Sequence, residues 1–119
     1  MRILDFLYKQ TITTDLKSTD KKGVIDELAQ PVAEVSHVNH REIVRVLNER
    51  ERLGSTGIGE GIAIPHGKLS GIGQLILGFG LSRQGVNFDA LDGQPTYLFF
   101  LLMSPDNSTG LHLRLLARI

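Results

Sequence analysis

Val24, Ile25, Leu28 and Val32 recur at helical spacing behind the polar pair Thr19 and Asp20. Either polar residue can cap the helix that this apolar stripe predicts. Pro31 falls inside the stripe and is expected to kink or shorten that helix. Upstream, the β-branched segment TITTDL (Thr11 to Leu16) predicts a short strand or extended stretch. Further on, Asn39 and Glu42 stand at capping-box spacing and start a second helix. It runs to about Leu53, where Gly54 stops it. Its buried arc is Ile43, Val46 and Leu47, with Val44 at the margin and Arg41, Arg45 and Arg52 opposite.

Beyond this helix the apolar period shortens. GIAIPHG reads as a short buried segment and QLILGFGLS as a longer strand. RQG predicts a turn, and Asp92-Gly93 within VNFDALDGQP a second one. TYLFFLLM (Thr96 to Met103) is almost uninterrupted apolar sequence of strand length, which predicts a central strand buried on both faces. SPDNSTG is a loop, and LHLRLLARI opens a last helix. Leu111, Leu115, Leu116 and Ile119 form its apolar arc, with Arg114 and Arg118 outside. It has no stop signal, which predicts a truncated C-terminal end. Helices and strands in this order predict a single domain over residues 1–119, an α/β or α+β sandwich with a mixed sheet covered by helices.

Composition narrows the function. A chain of 119 residues suits one domain with a real core. Thirteen basic residues offset thirteen acidic ones, and aromatics are few, so nothing recruits nucleic acid or an anionic membrane. Without cysteine there is no disulfide framework, thiolate metal site or cysteine nucleophile. The N-terminus is a poor signal peptide, and no stretch approaches the ~20 apolar residues of a membrane helix. A cytoplasmic location is expected.

The chemistry concentrates in GSTGIGEGIAIPHGK, Gly54 to Lys68. As a phosphate cradle it fails: Gly67-Lys68 is followed by Leu69, the dinucleotide glycine spacing is one residue short, and a helix precedes both. The plain alternative is a set of glycines that only permit a tight crossing. A mount for His66 fits better. Pro65 stiffens the approach and restricts Ile64 to extended geometry, while Gly67 lets the chain turn away. Arg50 lies in the buried arc of the second helix, one turn from the loop, where it needs an anion, acceptors or an internal carboxylate. His112 lies in the apolar arc and first turn of the last helix, either as a core histidine or beside an anion. His37 and His40 are expected to be solvated. Two widely separated histidines make a weak metal site.

RERLGSTGIGEGIAIPHGK, with GVNFDALDGQP, LFFLLMSP and HLRLLARI, strongly resembles the fructose/mannitol/nitrogen-type IIA proteins of the bacterial phosphotransferase system. The resemblance runs over essentially the whole chain. It implies an α/β fold, a central mixed β-sheet flanked by α-helices on both faces, with a C-terminal end that continues further in the family. It also implies a phosphoryl carrier in which His66 accepts a phosphoryl group on Nε2 from the phosphohistidine of HPr or a nitrogen-branch counterpart. Arg50 and His112 match the residues beside that histidine. The next partner is a IIB cysteine in sugar uptake, or a regulatory target in nitrogen-type members. The membrane is reached only through a permease. No cofactor, nucleotide or metal is implied, and a metal-dependent hydrolase is the remaining alternative.

Overall fold

The structure, a computed structural model, describes residues 7–106 and Ala117. Its elements are β1 (Leu7–Thr13), α1 (Lys21–Ser36), α2 (His40–Arg52), β2 (Gly57–Gly59), β3 (Ile62–Ala63), β4 (His66–Lys68), β5 (Ile76–Val86) and β6 (Thr96–Ser104). All six strands join one mixed sheet in the order β1-β5-β6-β3-β2, with β4 also on β6. Of the α/β and α+β arrangements that the order of elements allows, this is the α/β one that the family resemblance implies.

The apolar run of β6 is central. Its Leu101, Leu102 and Met103 are fully buried. β5 pairs with it antiparallel along one edge, while β3 and β4 lie parallel on the other, at Leu98–Phe99 and Leu102–Ser104. Ile64 and Pro65 separate those two short strands. Proline has no N–H to give the ladder, so pairing breaks there. Ile64 N–H donates instead to Thr56 O at 3.0 Å, and Pro65 O accepts from Leu102 N at 2.9 Å.

The two described helices share one face of the sheet. α1 sits over β5, where a Cβ on Gly80 would fall 2.5 Å from Leu28 Cδ2. α2 sits over β4, against Gly67 and Met103. Between helices and sheet lies the core of Val24, Ile25, Leu28, Val32, Ile43, Leu47, Phe99 and Met103. Phe88 closes it with an edge-to-face contact on Phe99 at 5.3 Å. The expected last helix, with His112, lies outside the described residues.

Local expectations were met unevenly. Asp20 caps α1, its carboxylate accepting from Gly23 N at 2.8 Å. Asn39 caps α2, but Glu42 pairs with Arg45 at 2.8 Å instead of completing a capping box. Pro31 does not shorten α1, which continues to Ser36. Buried Leu28, Ala29, Val32 and Ala33 on both sides of the proline outweigh one lost hydrogen bond. The first strand lies earlier than TITTDL suggests, because Leu7 to Thr13 pair with β5. RQG is not a turn. β5 runs on to Val86, and the extra residues form a bulge against β6, with Gly85 at φ 86° and its N–H on Ser82 Oγ.

Candidate functional site

The site forms where α2 ends beside β4. Ile43 and Leu47 anchor α2 in the core, so its next turn carries Arg50 to the sheet edge. Gly67 permits the approach: a Cβ there would lie 2.4 Å from Val46 Cγ1. Its role is therefore close packing inside a strand, a correction to the expectation that it turns the chain away.

His66 is held from both sides. Its Nδ1 lies 2.8 Å from the Ile64 carbonyl oxygen. A carbonyl can only accept, so Nδ1 carries the proton. The Arg50 Nε–H points at Nε2 from 3.3 Å and can only donate, so Nε2 presents its lone pair. Both contacts select one tautomer. Arg50 also donates from Nη1 to Gly54 O at 2.8 Å, which ties the guanidinium to the turn that ends α2.

Burial holds the His66 pKa below the ordinary histidine value. The Ile64 hydrogen bond opposes this, the Arg50 charge reinforces it, and Glu51 opposes it. The lowered pKa favours the neutral ring at pH 7. The linkage has a definite sign. Between the folded pKa and 6.5 the unfolded chain binds more protons, so stability rises with pH. The contribution is complete above 6.5 and is lost as pH falls through the folded value. Denaturant melts across this window should show that slope in the wild type and a shallower one in His66→Gln. Equal slopes would contradict the assignment.

The buried charge beside the site is Glu51, not Arg50. Among the described residues Arg50 has no carboxylate within ion-pair distance. The Glu51 side chain, only 6 % exposed, pairs with Lys21 Nζ at 3.0 Å. Its other contacts are Thr56, whose N–H donates at 3.0 Å and whose hydroxyl donates to the second carboxylate oxygen. Lys21 also lies over the Phe88 ring, 4.8 Å from its centroid. Helical spacing could have found Glu51, four residues after Leu47 and eight after Ile43 on the same stripe. The Ile64 carbonyl leaves no trace in residue type.

Of the sequence-nominated residues, the structure brings His66 and Arg50 together. His112 lies outside the described residues. His37 ends α1 in the left-handed region with φ 61°, and His40 is not simply solvated: its Nε2 lies 3.0 Å from Asp26 O. Among the described residues no three His, Cys, Asp or Glu side chains converge as metal ligands, and no helix is long and apolar enough to cross a membrane.

A histidine whose Nε2 faces an arginine, at the edge of a mixed α/β sheet, is the centre of the site. The family described as "Phosphoenolpyruvate-dependent sugar phosphotransferase system, EIIA 2" matches residues 5–119, and the chain belongs to it. It is 40% identical over 119 residues to a nitrogen regulatory protein of Bradyrhizobium diazoefficiens, covering all of this chain and 78% of that one. It is 39% identical over 121 residues to the fructose-specific EIIABC component of Bacillus subtilis, spanning all of this chain but only 19% of that protein. Among solved structures, nitrogen regulatory protein IIA-Ntr of Neisseria meningitidis superimposes with a TM-score of 0.91 at 38% identity, over 96% of this chain and 78% of that one. A complex of Escherichia coli IIA mannitol with phosphorylated IIB mannitol shares the fold, with a TM-score of 0.74 at 21% identity, over 93% and 78%.

Proposed function

We propose that His66 is a phosphoryl acceptor, charged by the phosphohistidine of HPr or of a nitrogen-branch counterpart. The observation that carries this reading is the double constraint on the ring, Nδ1–H on Ile64 O and Nε2 toward Arg50. The Nε2 lone pair attacks phosphorus as the donor N–P bond breaks, and the donor nitrogen leaves with that electron pair. The Nδ1 proton stays in place, and the Ile64 carbonyl stabilises the positive charge that develops on the ring. Arg50 turns from Nε2 to the equatorial phosphoryl oxygens, where a guanidinium fork matches two of them. His112, matched through the family resemblance, is the proposed donor to a third. The chemistry uses no cofactor. A metal ion on Nε2 would face the Arg50 cation.

Downstream, two readings divide the family: transfer to a IIB cysteine in sugar uptake, or a regulatory switch read by partner binding. Sequence identity to relatives of the two names is nearly equal, at 39% and 40%. The likeness to IIA-Ntr, a TM-score of 0.91 at 38% identity, supports the switch.

Phosphoenolpyruvate, enzyme I and HPr should place an acid-labile phosphoryl group on the wild type and none on His66→Ala. Persistent label in His66→Ala would reject the assignment. A IIB domain added to the labelled protein separates the branches: transfer to its cysteine means a relay, and retained label means a switch.

A further inference from the structure

We propose that Glu51 is a positioning residue that holds His66 in its Nδ1–H form through Thr56 and Ile64. This rests on the reading of His66 as phosphoryl acceptor. The links are continuous. Glu51 grips Thr56 twice, at the backbone N–H (3.0 Å) and at the hydroxyl. Thr56 O accepts from Ile64 N at 3.0 Å, and Ile64 O accepts from His66 Nδ1 at 2.8 Å. Pro65 follows Ile64 and restricts its backbone, so the carbonyl that meets the imidazole is fixed from both sides.

The placement of Glu51 needs such a role. A carboxylate in the last turn of a helix opposes the helix dipole, and taking it out of water costs more still. Lys21 offsets the charge from the first residue of α1, and Asp89 lies 3.6 Å from the same ammonium. Thr56 itself is buried. The loop between α2 and β2 is therefore anchored at Thr56, and that anchor directly bonds the segment whose next carbonyl sets the tautomer. Losing the grip lets Thr56 shift and carry the bonded Ile64 with it, which loosens the contact of the Ile64 carbonyl with Nδ1, after which the proton can move to Nε2 and block attack.

Nitrogen-15 NMR of the His66 ring, above the pH range where histidine titrates, reads the tautomer in the folded protein. Wild type and Thr56→Ser should show a protonated Nδ1 and an unprotonated Nε2. Glu51→Gln and Thr56→Val should raise the Nε2–H share about threefold to tenfold, as expected for weakening one hydrogen bond. Phosphoryl transfer from HPr should slow by about tenfold or more in the same two variants, with KM for the donor unchanged. Should Glu51→Gln not fold, the Thr56→Val and Thr56→Ser pair reads the same quantity. An unchanged tautomer in folded Thr56→Val or Glu51→Gln, with only the melting temperature lowered, would overturn the proposal. If the wild type takes no phosphoryl group at all, the acceptor reading fails, and the ring spectra still decide whether Glu51 sets the tautomer.

Discussion

Arg50→Ala is expected to slow phosphoryl transfer to His66 by about 10²–10³-fold, the usual cost of removing one preorganised donor from a transition state. The domain should stay folded. Arg50 neutralises no carboxylate among the described residues, and its bond to Gly54 O lies on the half-exposed end of α2. Losing that bond costs about 1 kcal/mol. Arg50→Lys should recover part of the rate, because an ammonium supplies charge but not the planar fork. Removing the Arg50 charge also lifts one influence that lowers the His66 pKa, so the acid limb of the rate profile should move to higher pH. A large fall in melting temperature with a normal rate in the folded fraction would make Arg50 structural.

Gly67→Ala is expected to destabilise the domain by about 1–3 kcal/mol, the usual cost of overpacking. The added Cβ meets Val46 Cγ1 at 2.4 Å, and a β-branched side chain in a helix has little rotamer freedom with which to retreat. α2 must then lift from β4, which carries Arg50 away from His66. The variant should lose activity beyond its loss of stability. Val46→Ala in the same chain should restore much of both. Urea melts and transfer rates on the two single variants and the double variant measure the coupling; additive effects would mean that the helix does not move.

These predictions separate what residue pattern encodes from what only packing creates. α2 was legible because its cap, apolar arc and stop signal agree. β6 was legible because eight successive residues from Thr96 lack any turn former. Arg50 announced itself as a charge within an apolar arc, and His66 by the stiffness of Ile64-Pro65. The bulge at Gly85 resembled a turn because both use a glycine at positive φ; only pairing with β6 tells them apart. Pro31 does not shorten α1, because local propensity says nothing of the sheet that α1 packs against. Gly67 was misread for a similar reason, since its value lies in Val46, a residue of another element. The Ile64 acceptor is backbone, invisible to any reading of side chains. Glu51 was within reach, masked by the ordinary expectation that glutamate faces solvent.

Transferring phosphoryl groups from HPr to uniformly nitrogen-15-labelled protein, then resolving which ring nitrogen of which histidine is bonded to phosphorus, tests the central claim most directly. The constraint of Nδ1 by Ile64 predicts one species, phosphorylated at Nε2 of His66. Phosphorus on Nδ1 of His66, on another histidine, or on none while the donor remains competent would contradict it.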